Sequence, residues 1–351
     1  MGGSRYGRPI RAYIGSFTSA GGDGITTAAV DPGSGALTAL HTTDVVADPS
    51  FLALAPGASM LYAVSETENG AVAALSLAGD PDRPVVASEA VPVGDGPTHL
   101  TLTDGHLVTA NYGSGSVTSI PVGTDGTLAR TGHVLRHEGG GPDPERQQGP
   151  HAHAVLPDPS GRWLLSVDLG TDSVRVCPLD PVYGASSVHR ELRLRPGSGP
   201  RHLAFHPRGD RAYVINELEP TVTTCGWDAV AGKLEPLGET SVLAEGAGGR
   251  TYPSEVVIAP DGRFAWTANR GHDSITVLAL DASGDRLRLV GNVPCGGRWP
   301  RHLALGPSGR HLYAANERSG DVTWFDVDES TGFPHRAGAL SVPAVSCVVF
   351  G

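Results

Sequence analysis

The chain has 351 residues, 39% of them hydrophobic, with 48 glycines and 28 prolines. So many backbone breakers exclude a helical bundle, the apolar share excludes wholesale disorder, and no apolar run is long enough for a helical membrane span. The formal net charge of -11 excludes a broad nucleic-acid surface.

Residues 1–10 carry early arginines and no apolar stretch of the signal-peptide kind, so a flexible extension and a cytoplasmic location are expected. AYIGSFT, from Ala12, reads as a strand, Ile25 to Val30 as the next, and DPGSGAL from Asp31 as a turn. Six units of one plan then follow, opening at Pro49, Pro97, Pro150, Pro200, Pro253 and Pro300, 47 to 53 residues apart. Each has an apolar strand after the proline and a tight turn such as Pro260-Asp261-Gly262-Arg263. A second strand (FAWTAN, HLYAAN), a polar loop, an alternating third strand (SITVLAL, DVTWFDV) and a fourth complete it. That is the period of a four-stranded propeller blade. The N-terminal strands lack a first strand, and residues 343–350 supply one. The expectation is an all-β, seven-bladed β-propeller, one domain over residues 1–351, with the ring closed by the C-terminal strand. Cys177, Cys225, Cys295 and Cys347 form no C-x-x-C pair, and free buried thiols are expected.

Label the strands of a blade A to D from the axis outward, in chain order. The A–B and C–D turns are stereotyped and read as structural. The B–C loops and D-to-A crossings share the other rim and carry the unusual residues. Asn111, Asn216, Asn269 and Asn316 recur after strand B and read as loop-bracing. His99, His202 and His302 recur after the proline and read mainly as partners of neighbouring backbone; His206 reads as structural. Arg201, Glu217 and Arg270 depart from what the repeat requires, and they cluster in one sector with the His151 unit. Residues 139–149 form a long Gly/Pro crossing on this rim, a candidate wall or lid, and residues 245–252 form a similar one carrying Arg250. His151-x-His153 has no third ligand, so neither metal nor cofactor is expected.

AYIGSFT, DPSFLAL, TANYGSGSV, RQQGPHAHAV, VDLGTDSV, GPRHLAFHP, YVINEL and TANRGHDSI span nearly the whole chain. In them the chain resembles the lactonase family of seven-bladed propellers, which includes bacterial cycloisomerase-type 6-phosphogluconolactonases and fungal 3-carboxy-cis,cis-muconate lactonising enzymes. The resemblance implies a His, two Arg and a Glu at the channel mouth, which fall on His151, Arg201, Arg270 and Glu217. His151 is preferred because, counted from the proline, it matches Arg201; His153 is the reserve. His153, His202, Arg301, Glu255, Tyr112 and Arg146 are candidate substrate contacts. Lactone hydrolysis needs a base to activate water and a cation for the oxyanion. Glu217 or His151 suits the first and the arginines the second. The expected partner is a small anionic lactone and the expected state a monomer. A lactonising cycloisomerase or tailoring enzyme, and a non-catalytic binding scaffold, are the alternatives.

Overall fold

The computed structural model describes residues 10–351; the extension expected at residues 1–10 lies outside the described residues except for Ile10. Apart from one 3₁₀ turn at Thr18–Ala20, the regular structure among the described residues is β. Seven antiparallel sheets form a propeller ring. The first blade orders its strands Val345–Phe350, Arg11–Ser16, Ile25–Val30 and Leu37–Thr43 from inside out. The C-terminal strand thus pairs with the N-terminal one, as expected, and Tyr13 faces Val349.

The interior is not one core. Seven apolar clusters fill the seven gaps between neighbouring blades, because both faces of each sheet are covered. Each gap is also latched. A strand-B side chain donates to a C–D turn carbonyl of the next blade: Tyr13 to Pro81, Tyr62 to Gly126, Trp163 to Ala229, Tyr213 to Gly284, Trp266 to Gly332 and Tyr313 to Gly35, at 2.7–2.9 Å. His106, 3.2 Å from Val182 O, does the same for the remaining gap. These aromatic rings, all buried but the half-buried Trp163, thereby satisfy their polar atoms while filling the gap.

A β-bulge interrupts the A–B ladder near the mouth in six blades. The unpaired residues are Ser346, Thr98, His153, Arg201, Ser254 and Arg301. A bulge re-aims its extra side chain. Several of these chains reach the neighbouring bulge: Thr98 Oγ1 donates to His153 O at 3.0 Å, Arg201 Nη1 to Ser254 O, and Ser254 Oγ to Pro300 O at 2.6 Å. The four asparagines brace the B–C loops as expected, each donating to residues of strand C; Asn216 Nδ2, for instance, reaches Thr221 Oγ1 at 2.9 Å.

Candidate active site

Glu217 opens the loop after Arg211–Asn216, and its N–H donates to Gly199 O at 2.7 Å. That bond ties the loop to the crossing that delivers Arg201. Three guanidiniums close on the Glu217 carboxylate. Arg270 Nη2 lies 2.7 Å from Oε2, Arg146 Nη2 2.7 Å from Oε1, and Arg201 Nε 3.2 Å from Oε2 without hydrogen-bond alignment. Arg270 is held by its own backbone neighbourhood, its Nε donating to Tyr252 O at 3.0 Å. Burial alone would raise the Glu217 carboxyl, but Arg270, Arg201 and Arg146 overcome it and hold it at about 2. Burial, then the neighbouring Arg270, push Arg201 down to about 9. Three cations around one carboxylate leave this sector in positive excess.

Arg146 comes from the long crossing, which is pinned. Asp143 Oδ1 accepts from the N–H groups of Glu145 and Arg146, both at 2.9 Å. The buried Gln147 Nε2 donates to Leu169 O at 2.8 Å and Asp172 Oδ1 at 2.7 Å. Asp172 also accepts from Gly197 N at 2.7 Å and Gly199 N at 2.8 Å. One carboxylate therefore ties the crossing that carries Arg146 to the crossing before Arg201. Of the two sequence expectations, wall and lid, the geometry is that of a wall.

The two histidines take different places. Sheet pairing matches Ala152 with Asp168 and Pro200 with Asn216, both ends of strand B. His153, not His151, is thus the bulge equivalent of Arg201. The proline-based count slips because the Pro150 unit carries two extra residues ahead of its ladder. His151 lies before the strand, stacked on Tyr112 with centroids 4.3 Å apart. Its Nδ1 is 2.8 Å from Tyr112 O, which can only accept, so Nδ1 carries the proton in the neutral ring. His153 is buried between Tyr112 and His202, with ring centroids 5.7 and 5.2 Å away, and its Nδ1 has no hydrogen-bond partner among the described residues. Burial, then Arg201, hold its pKa well below the usual histidine value. Tyr112 joins the sets, since Arg146 Nη2 lies 3.2 Å from its hydroxyl.

The remaining candidates flank this cluster, His202 meeting it through His153. Arg301 pairs with Glu66 at 3.5 Å and Glu317 at 3.4 Å and lies over Phe17. His202 and Glu255 line a channel cavity of about 160 Å³ with Phe51, His99 and His302. There Glu255 accepts from His202 Nδ1 at 2.9 Å and from Val256 N at 3.1 Å. His99 and His302 each accept from a neighbouring blade's backbone, Val155 N and Val348 N, at 3.4 Å, as expected for this repeated histidine. His206 accepts from Arg208 N at 3.1 Å, which fits its structural reading. A larger cleft, about 640 Å³, opens at the opposite end among turn residues such as Pro56, Asp104 and Asp125; among the described residues neither arginine nor histidine lines it. Among the described residues, no three His, Cys, Asp or Glu gather as a metal site. Sequence reasoning missed Gln147, Asp172 and Trp299, whose ring centroid lies 5.7 Å from the Arg270 guanidinium. The only available signal was their position, on crossings or loops beside residues it did select.

The family model for the lactonase seven-bladed β-propellers matches residues 11–350. A Bacillus subtilis 6-phosphogluconolactonase is 32% identical over 343 residues, covering 96% of this chain and 97% of that protein. A 6-phosphogluconolactonase from Formosa agariphila is 29% identical over 91% of this chain and 93% of its own. The solved structure of a periplasmic gluconolactonase from Pseudomonas aeruginosa superposes with a TM-score of 0.90 at 28% identity, covering 97% of this chain and 98% of that one. No helix among the described residues is long and apolar enough to cross a membrane. With its repeat and its ring in place and the family model matched from end to end of the propeller, the chain belongs to the lactonase family of seven-bladed β-propellers.

Proposed function

We propose that this protein hydrolyses a lactone carrying an anionic group, in the manner of a 6-phosphogluconolactonase. The observation that carries this reading is the three-guanidinium cluster on Glu217, one carboxylate for three cations. An acidic protein repels anions at long range, so a local cationic excess is meaningful only for an anionic ligand. The Bacillus and Formosa relatives bear names that fit.

In this reading the lactone carbonyl lies against Arg201 and Arg270. His153, kept neutral by its buried setting, takes a proton from water as the water oxygen bonds to the carbonyl carbon. The arginines stabilise the tetrahedral oxyanion. The ring C–O bond then breaks, the proton passes to the departing alkoxide, and the hydroxy acid leaves. Glu217, ionised at all physiological pH values, orients the arginines instead of serving as the base. His153 gains over His151 through its place at the bulge position that Arg201 and Arg301 hold in their own blades.

The test is a kcat/KM panel on 6-phosphogluconolactone, a carboxylated muconolactone and neutral gluconolactone. Preference for an anionic lactone by tenfold or more is expected. Equal activity on the neutral lactone would reassign the arginines to bracing and oxyanion binding alone. Lactone formation from an unsaturated open-chain carboxylic acid, by addition of a carboxylate across its C=C bond and without hydrolysis, would favour the cycloisomerase alternative.

A further inference from the structure

Beside Arg270 the mouth continues into a second cationic patch. Trp299 stands on the crossing before Pro300 in a left-handed conformation, φ 66°. A bulky residue is costly there. The surrounding bonds hold it: Asp273 Oδ1 accepts from Trp299 N at 2.8 Å, and Trp299 O accepts from Glu317 N at 3.1 Å. Arg298 is zipped to the same loop, its N–H donating to Ser319 Oγ at 2.8 Å and its O accepting from Arg318 N at 3.2 Å.

This frame places the Trp299 ring under two guanidiniums, Arg318 at 3.4 Å and Arg270 at 5.7 Å from its centroid. Tyr252 lies 6.1 Å from Trp299 and carries Arg250 at 5.1 Å. Arg250 and Arg318 are exposed and form no ion pair among the described residues, whereas Arg146, Arg201, Arg270 and Arg301 all do. The difference is chemical. A carboxylate neutralises a guanidinium and consumes its N–H donors. An aromatic face holds the guanidinium by its π-surface and leaves the in-plane donors open. Arg250 and Arg318 are thus oriented but not neutralised, next to the residue that joins this patch to Glu217.

We propose that Arg250 and Arg318, on their Tyr252 and Trp299 supports, form an outer subsite for the phosphoryl group of a phosphorylated sugar lactone or its open acid. This rests on the lactonase reading and goes beyond it. Arg201 and Arg270 serve the reacting carboxyl end, and the outer pair serves a dianion at the far end. A phosphomonoester matches two forks, while a single carboxylate is satisfied by one.

Binding decides the matter independently of turnover. Titration calorimetry with 6-phosphogluconate and with gluconate is run on the wild type, Arg250→Gln, Arg318→Gln and the double variant. The expected result is a tenfold or larger rise in the Kd of 6-phosphogluconate in the double variant, with gluconate binding unchanged. Arg318→Lys, which keeps the charge and loses the stacked fork, is expected to fall in between. Equal Kd values for 6-phosphogluconate in wild type and double variant would overturn the subsite, and so would a parallel loss for both acids. A wild type that binds 6-phosphogluconate in this arginine-dependent way but hydrolyses no lactone would sink the lactonase reading and leave the subsite standing.

Discussion

At the scale of single residues, Glu217 is as much a structural ion as a functional one. Replacing it by Gln leaves Arg146, Arg201 and Arg270 without their shared counter-charge. Breaking a buried pair on one side costs about 3–5 kcal/mol, so Glu217→Gln is expected to lose turnover and also lower the urea midpoint. An unchanged midpoint would show that the arginines find other partners. Its folded pKa, about 2, lies below the unfolded value of roughly 4.3. Its stabilisation is therefore complete above that unfolded value and disappears as pH falls toward 2. The histidines give a sharper comparison. His153→Ala is expected to lower kcat by about 10²-fold, the usual scale for a positioned base. His151→Ala, which removes a ring stacked on Tyr112, is expected to affect KM more than kcat. Reversed effects in the two variants would make His151 the base. The sequence could not separate them, because the prolines are the visible repeat mark, while the ladder begins two residues later in the Pro150 unit than in the Pro200 unit.

At the scale of elements, the site depends on where irregular backbone is tied down. The repeat made the strands legible, since alternation and turn chemistry recur every blade. The expected strand Ile25 to Val30 matches the observed Ile25–Val30. The crossing at residues 139–149 has no such periodicity. Its reach to Glu217 of the next blade follows from bonds between distant residues, above all Gln147 with Asp172. Asp172→Ala removes the acceptor for Gly197 N, Gly199 N and Gln147 Nε2 together. Leaving such buried donors unsatisfied costs about 1–3 kcal/mol each at most. The variant is expected to fold, to cleave faster under limited proteolysis at residues 139–149, and to show a raised KM. A protease pattern like that of the wild type would mean the crossing is held by its own turns.

At the scale of the whole molecule, the channel holds four neutral histidines under an arginine roof. Burial keeps His99, His153 and His202 well below the usual value and pulls His302 to about 4. In the unfolded chain each titrates near 6.5. Unfolding therefore takes up protons below that pH, and the stabilisation, complete above about 6.5, is lost as pH falls toward the folded values. Glu255, raised by its burial, acts in the opposite direction and offsets part of the loss. The melting temperature is expected to drop steeply between about pH 6.5 and 4, and less steeply in His302→Gln; a flat profile over that range would contradict the buried-neutral assignment. The ring itself has a further consequence, in time. Strand Arg11–Ser16 waits unpaired on its inner side for Val345–Phe350, more than three hundred residues later. During synthesis the nascent chain is an open arc with two raw ends, and each new blade can dock only on the one before it. Ring closure, a contact of very high sequence separation, is then expected to be a late and slow step. Until closure, the inner edge of Arg11–Ser16 is an unpaired strand edge, the kind of surface on which a second copy can pair.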